Sequence, residues 1–497
     1  MSVLLQPFTP ININQTVPEI AKFKSRSAQS VIVDRQTISY PATSGPSYTI
    51  TSGSGNANQI SWLISDASKF LDLPSASLAF DYKATLATGI TTETNTGSYC
   101  DTLPADNCIS LFSRCQIKLS GINTEDIPSV SQFFNTKMAS SMNKSYYEQN
   151  MNILAGSYVW NSDAYGGSSM FDDLNTRFKN AQLSDYNAVA STASSPATTS
   201  RSFVIPLSFI SGLFSMQKLL PLPLLSTLEI NLYLEPLAQS HYSITSTATA
   251  NILPNLSVTL SNVRILADVC VMNAQYCQML KEIALNDEAG ISLAFDTVQS
   301  YGLSYNSSKT SPTSSTLTIN KSSPFVRSIY ASKSNPVNNN KLEAMNTCNF
   351  INNGNSGIRV HISSNYYPVH GDTQNNAITY AYMKSGEVNN ALSGSLQNMA
   401  TYSGAILPTV GTAVTAGSRD SLLANFTFGV QFDKSSGGEL DLDGLDTSAL
   451  GSALTINMNE NYNSSTPSTV DGNMNLNVFL AYTKHLSLRG GNINISG

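Results

Sequence analysis

The chain has 497 residues, 12% of them charged and 41% hydrophobic, and 27 basic against 33 acidic residues leave a net charge of −6. An average soluble domain carries roughly 25% charged residues, so neutral polar side chains stand in for Lys and Glu: Ser 73, Thr 42 and Asn 48 make 163 residues, about a third of the chain. That composition works against helix interiors, whose backbone hydrogen bonds these side chains compete for; no run of like charge offers a footprint for nucleic acid, and the apolar share argues against disorder.

The N-terminal stretch MSVLLQPFTPININ has no basic flank, long apolar core or small-residue cleavage site, so no secretory leader is expected. Residues 1–40 are expected to form an arm. Period-two alternation then dominates. It runs through Ile60, Trp62 and Ile64, and through Cys115, Ile117 and Leu119. Val130, Phe133, Phe134, Met138, Met142 and Tyr146 follow Pro128 and Ser129 at helical spacing, which predicts a helix covering a sheet. The most apolar stretch, 203–228, is broken by Pro206, Pro221 and Pro223 and carries Lys218. A membrane span needs about 20 continuous apolar residues, so this stretch is buried core.

Alternation returns at Leu228, Ile230, Leu232 and Leu234, then at Leu256, Val258 and Leu260. It resumes one residue out of phase at Val263, Ile265, Ala267, Val269 and Val271. The slip at Ser261 and Asn262 predicts a β-bulge that bends a long strand. Tyr276, Met279, Leu280 and Ile283 predict a second short helix. Further strands are expected around Leu317 and Ile319; Ile358, Val360 and Ile362; Phe426, Phe428, Val430 and Phe432; Leu454, Ile456 and Met458; and Val478, Leu480 and Tyr482. Each has one apolar and one polar face, as in a sandwich of packed antiparallel sheets. The Ser/Thr/Asn-rich insertions at 186–201, 306–316 and 390–420 read as loops. Two sandwiches result: residues 41–273, a helical linker at 274–290, and residues 291–497.

The chemistry-bearing residues are few. The phosphate-loop, nucleophile-elbow and zinc-helix motifs are all missing. Four histidines, His241, His361, His370 and His485, give a triad or metal site little to draw on, and His361 and His370 are the nearest pair. The acidic run Glu439, Asp441, Asp443 and Asp446 invites a calcium reading, but its spacing does not fit the twelve-residue loop and its interleaved leucines alternate like a strand. Cys100, Cys108, Cys115, Cys270, Cys277 and Cys348 form no CxxC pair and read as buried thiols, with a Cys100–Cys108 disulfide left open. The expectation is no enzyme, no catalytic residue, no cofactor and no metal.

Leu111–Gly121 (LFSRCQIKLSG), followed by Thr124-Glu125-Asp126-Ile127, resembles the strand, Gly turn and acidic-Ile pair leading into a helix of the double jelly-roll major capsid protein family. Phe203–Phe209 (FVIPLSF), Leu219–Leu225 (LLPLPLL) and Leu228–Leu232 resemble its strand, Leu-Pro-Leu run and alternating strand, with Ser208 where a second proline is usual. Asn262–Met272 with its trailing helix is similar to the passage between the two rolls. Phe428–Phe432, Ser435–Asp443 and the closing strand Val478–Tyr482 match the second roll in order.

The resemblance implies an all-β fold of two tandem eight-stranded antiparallel jelly rolls with a few short helices and long loops. It further implies homotrimers that form pseudo-hexagonal capsomers, tiling the icosahedral shell of a double-stranded DNA virus of virophage, polinton-like or large nucleocytoplasmic type. The implied partners are the chain itself, neighbouring capsomers, and penton and minor capsid or cement proteins. Sequence-specific nucleic acid and a membrane span are not among them. The implied location is the virion, assembled inside the host cell. A tandem-sandwich carbohydrate-binding protein, adhesin or fibre is the alternative from another class. A β-sandwich glycosidase stands third and would need two buried carboxylates.

Overall fold

The computed structural model describes residues 31–51, 59–86, 103–104, 108–141, 201–242, 256–286, 290–307, 313–334, 355–362, 365–367, 427–432, 444–448, 454–460, 472–489 and 492–496. In chain order the first half contains β1 (Ile32–Pro41), β2 (Ser47–Thr51), β3 (Gln59–Ile64), β4 (Lys69–Asp72), β5 (Ser77–Leu86), β6 (Leu103–Pro104), β7 (Phe112–Leu119) and β8 (Ile122–Pro128). Helix α1 (Val130–Ser141), β9 (Arg201–Pro206), the short α2 (Gly212–Ser215), β10 (Leu219–Pro221), β11 (Leu228–Leu234), α3 (Leu237–Ser240), β12 (His241–Tyr242) and β13 (Leu256–Met272) complete it. After α4 (Ala274–Asn286) come β14 (Ile291–Ser307), β15 (Thr313–Ile319), β16 (Val326–Ser334), β17 (Asn355–Ile362) and β18 (Asn365–Tyr367). The last are β19 (Thr427–Gln431), β20 (Leu454–Glu460), β21 (Gly472–Arg489) and β22 (Asn492–Ser496).

The pairings repeat. In the second half one sheet runs β14-β21-β16-β19, with β22 added on β21, and its partner runs β15-β20-β17-β18. Numbering β14–β21 from one to eight, these orders are 1-8-3-6 and 2-7-4-5. In the first half β1 and β2 lie end to end along one side of β13, β4 and β5 along its other side, and β10 and β9 beyond those. Counting each such pair as one strand, the sheets are again 1-8-3-6 and, as β3-β11-β7-β8, 2-7-4-5. That order of eight antiparallel strands in two sheets is the jelly roll.

Alternation explains the burial. Ile60, Trp62 and Ile64 of β3 face inward with Cys115, Ile117 and Leu119 of β7 and the leucines of β11. Phe80 fills the middle, 6.0 Å from Phe112 and 5.7 Å from Phe203 between ring centroids, favourable distances for tilted aromatic pairs. The expected bulge is present: the β13–β5 register slips between Ser261 and Arg264, and Asn262 has φ 53°. Its side-chain amide donates to Asp81 (3.2 Å) and its backbone N–H to the Pro46 carbonyl (3.2 Å), which holds the left-handed turn.

Several expectations shift. β1 begins at Ile32 and pairs with β13 from Met272 to Arg264, inside the 1–40 stretch read as an arm. Most of its side chains are exposed, so it carries no alternation to read. The loop expected at 306–316 shrinks, because β14 reaches Ser307 and β15 starts at Thr313. Val478–Tyr482 lies within the longer β21, and β22 follows it. Helix α1 ends at Ser141; Met142, Tyr146 and the insertions at 186–200 and 390–420 lie outside the described residues. Among the described residues no helix is long and apolar enough to cross a membrane.

Candidate functional site

The principal feature is the junction between the two sandwiches. One apolar core runs through the first sandwich and continues into Leu293, Phe295, Val298, Tyr330, Phe479, Leu486 and Leu488 of the second, while a separate core around Ile329, Ile456, Leu476 and Val478 fills the rest of that half. Sequence places the junction on α1. After the turn at Ser120 and Gly121, where φ is 49° and 80°, the chain returns along β8 and enters α1 through Ser129, φ 55°. Phe133 of α1 then stacks on Tyr330 of β16, centroids 6.0 Å apart, and meets Phe479 of β21 at 5.7 Å. Thr136, one turn further, lies 3.4 Å from the Ser332 hydroxyl across the junction.

A polar cluster sits beside these rings. Glu125 of β8 is 1% exposed. Its Oε2 accepts from the Ser211 hydroxyl at 2.5 Å and the Leu213 N–H at 3.4 Å; its Oε1 accepts from the Gly212 N–H and the Thr297 hydroxyl, each at 2.9 Å. Three donors come from the start of α2 and the fourth from β14, in the other sandwich. Lys484 of β21 returns the crossing by donating to the Thr124 carbonyl at 2.8 Å. On the second half, Asp296 accepts from Thr483 at 2.8 Å and pairs with Arg327 at 2.8 Å. Burial pushes the Glu125 carboxyl up, against the pull of its four hydrogen bonds. It pushes the Lys137 and Lys484 ammonium groups down, with Glu125 opposing in both cases. The Tyr482 hydroxyl above the cluster is pushed up to about 12 by the same desolvation.

The halves approach as closely as backbone allows. A methyl group at Gly212 would stand 1.5 Å from the Asp296 carbonyl oxygen, so only glycine fits. Ile493 and Ile495 of β22, paired with Leu488 and Leu486 of β21, pack against the apolar core that spans both halves.

The residues weighed for chemistry lie elsewhere. His361, on β17, has Nδ1 3.4 Å from the Thr455 hydroxyl, and His370 is outside the described residues. Of the acidic run, Gly444–Asp446 is described: Leu445 bridges Val326, and Asp446 accepts from the backbone and side chain of Ser448, as a turn residue does. Among the described residues no three His, Cys, Asp or Glu side chains converge on a metal-sized site. Cys108, Cys115 and Cys270 are buried and Cys277 half-buried; Cys100 and Cys348 are not described. Glu125 was not among the residues weighed: its donors are hydroxyl and backbone groups contributed by distant elements, which leave no local mark in the sequence.

The two linked jelly rolls define a class of fold, the double jelly roll. No protein-family model and no curated protein sequence matches the chain. Solved structures do. A chain of the Sputnik virophage structure from cryo-EM aligns with TM-score 0.58 and 13% identity over 100% of this chain and 93% of its own. The mavirus major capsid protein aligns with TM-score 0.52 and 9% identity over 100% and 95%, and that of Faustovirus with 0.53 and 9% over 96% and 94%. At these identities the likeness is one of fold: this chain has the double jelly-roll fold of the viral major capsid proteins.

Proposed function

We propose that this chain is a structural major capsid protein of an icosahedral double-stranded DNA virus, working in the virion without catalysis. The observation carrying the reading is that one chain holds two sandwiches of identical strand order, fused through a buried junction, along the whole length aligned with capsid proteins. Three such chains about a threefold axis present six similar sandwiches, a pseudo-hexagonal tile from a cyclic homotrimer. The first roll ends at residue 273, residues 274–290 link, and the second roll spans 291–497. Low charge suits this role, since surfaces that meet copies of themselves incur less like-charge repulsion and less desolvation. The trimer interface is the obligate one, on the order of thousands of Å², and tile-to-tile contacts are smaller and gain strength by repetition. Neighbouring capsomers, penton and cement proteins are its partners, and assembly takes place inside the host cell.

Light scattering with negative-stain microscopy tests this. The expected particle is a trimer near 160 kDa, 3 × 53.3 kDa, with a six-sided outline. A stable sugar-binding monomer overturns the reading in favour of an adhesin.

A further inference from the structure

We propose that Glu125 is the positioning residue that sets the orientation of the second sandwich on the first and makes the two halves a single cooperative unit. Two kinds of contact join the halves, and they differ in what they fix. The aromatic contact of Phe133 with Tyr330 and Phe479 supplies adhesion, which is non-directional and tolerates sliding. Hydrogen bonds to a buried carboxylate tolerate little, because both distance and angle matter.

Glu125 holds donors from both halves on the same oxygen: Gly212 N–H from the first and the Thr297 hydroxyl from the second both point at Oε1. A carboxylate removed from water is costly unless its acceptors are filled. The set is complete only when β14 lies against α2. The fit has no slack, because Gly212 already rests on the Asp296 carbonyl. The charged groups around the site are Lys137 on α1, Lys484 on β21, Asp296 on β14, Asp126 on β8 and Lys321 between β15 and β16. With Lys484 tied back to the Thr124 carbonyl, the cluster is clasped from both sides. None of this depends on what the protein assembles with, so the inference stands apart from the capsid reading.

The test uses the full chain and three variants: Thr297→Val, which keeps the side-chain shape and removes the hydroxyl; Glu125→Gln; and the double variant. Calorimetry, X-ray scattering and protease cleavage within the 274–290 linker are read together. Expected for Thr297→Val are a melting transition that splits in two, a larger radius of gyration at unchanged strand content, and faster linker cleavage. The double variant should lose no more than Glu125→Gln alone. Glu229→Gln, in the surface pair with Lys118, should leave all three readouts unchanged. If Thr297→Val melts in one unsplit transition with wild-type radius and linker protection, the proposal is wrong, whether or not Glu125→Gln folds. Additive losses in the double variant also overturn it. Light scattering on the same Thr297→Val sample separates this outcome from failure of the trimer.

Discussion

Two carboxylates near the first core are both pushed up by burial but differ in what satisfies them. Glu125 has four donors, whereas Glu235, at the end of β11, is raised from an ordinary 4.5 to about 7 with burial as its cause. The folded state therefore prefers protonated Glu235. Its favourable contribution is complete below about pH 4.5 and is lost as pH rises through about 7. Glu235→Gln should leave the melting temperature unchanged near pH 4.5 and raise stability at pH 8, by up to about 3 kcal/mol. A pH series of thermal melts on both proteins checks this, and equal gains at both pH values would exclude Glu235 as the source. Neither carboxylate was legible as buried. In β8 the register slips between Ile117 and Lys118 of its partner strand, so Thr124 and Glu125 both turn inward. A slip shows in sequence only where apolar residues mark the phase, as they do around Asn262, and β8 has too few.

Strands with one buried apolar face were the readable elements. β11 lies between β3 and β7, and its Leu228, Ile230, Leu232 and Leu234 spell out its phase. Ile230→Asp should cost about 4 kcal/mol or more, because it places an unpaired charge in a filled interior. Soluble yield and circular dichroism report it, and a soluble, native-like variant would show that Ile230 is not core. One edge strand, β1, was not readable. β1 is mostly exposed, and its Arg35 is held by Asp72 and Asp268 on the sheet surface, so its sequence looks like loop. Long β14 was missed for another reason: Thr297, an inward residue kept polar by Glu125, interrupts Leu293 and Phe295.

The two-sandwich plan was legible across the whole molecule because it rests on the count and spacing of alternating runs. The junction was not, since it joins residues as far apart as Thr124 and Lys484, 360 positions in sequence. β22 also went unread: its Ile493 and Ile495 are half-buried against the apolar core that spans both halves. Replacing both with Ala should lower stability by about 2 kcal/mol, from lost half-buried methylenes. Urea titration measures that change, and an unaltered midpoint would show that β22 only rests on the surface.

The pairing of β1 with β13 also has a consequence in time. Thr37 and its partner Asp268 are 231 residues apart, and a ribosome adds about 5–20 residues per second, so roughly 12 to 46 s separate the emergence of one strand from that of the other. Throughout that interval β1 and its apolar start at Val31–Val33 wait without the strand they will join. Neighbouring ribosomes on the same message carry copies in the same unfinished state, each offering an unpaired edge to the others. The order of strands along the chain thus sets a clock on how densely this protein can be translated before nascent copies pair with one another.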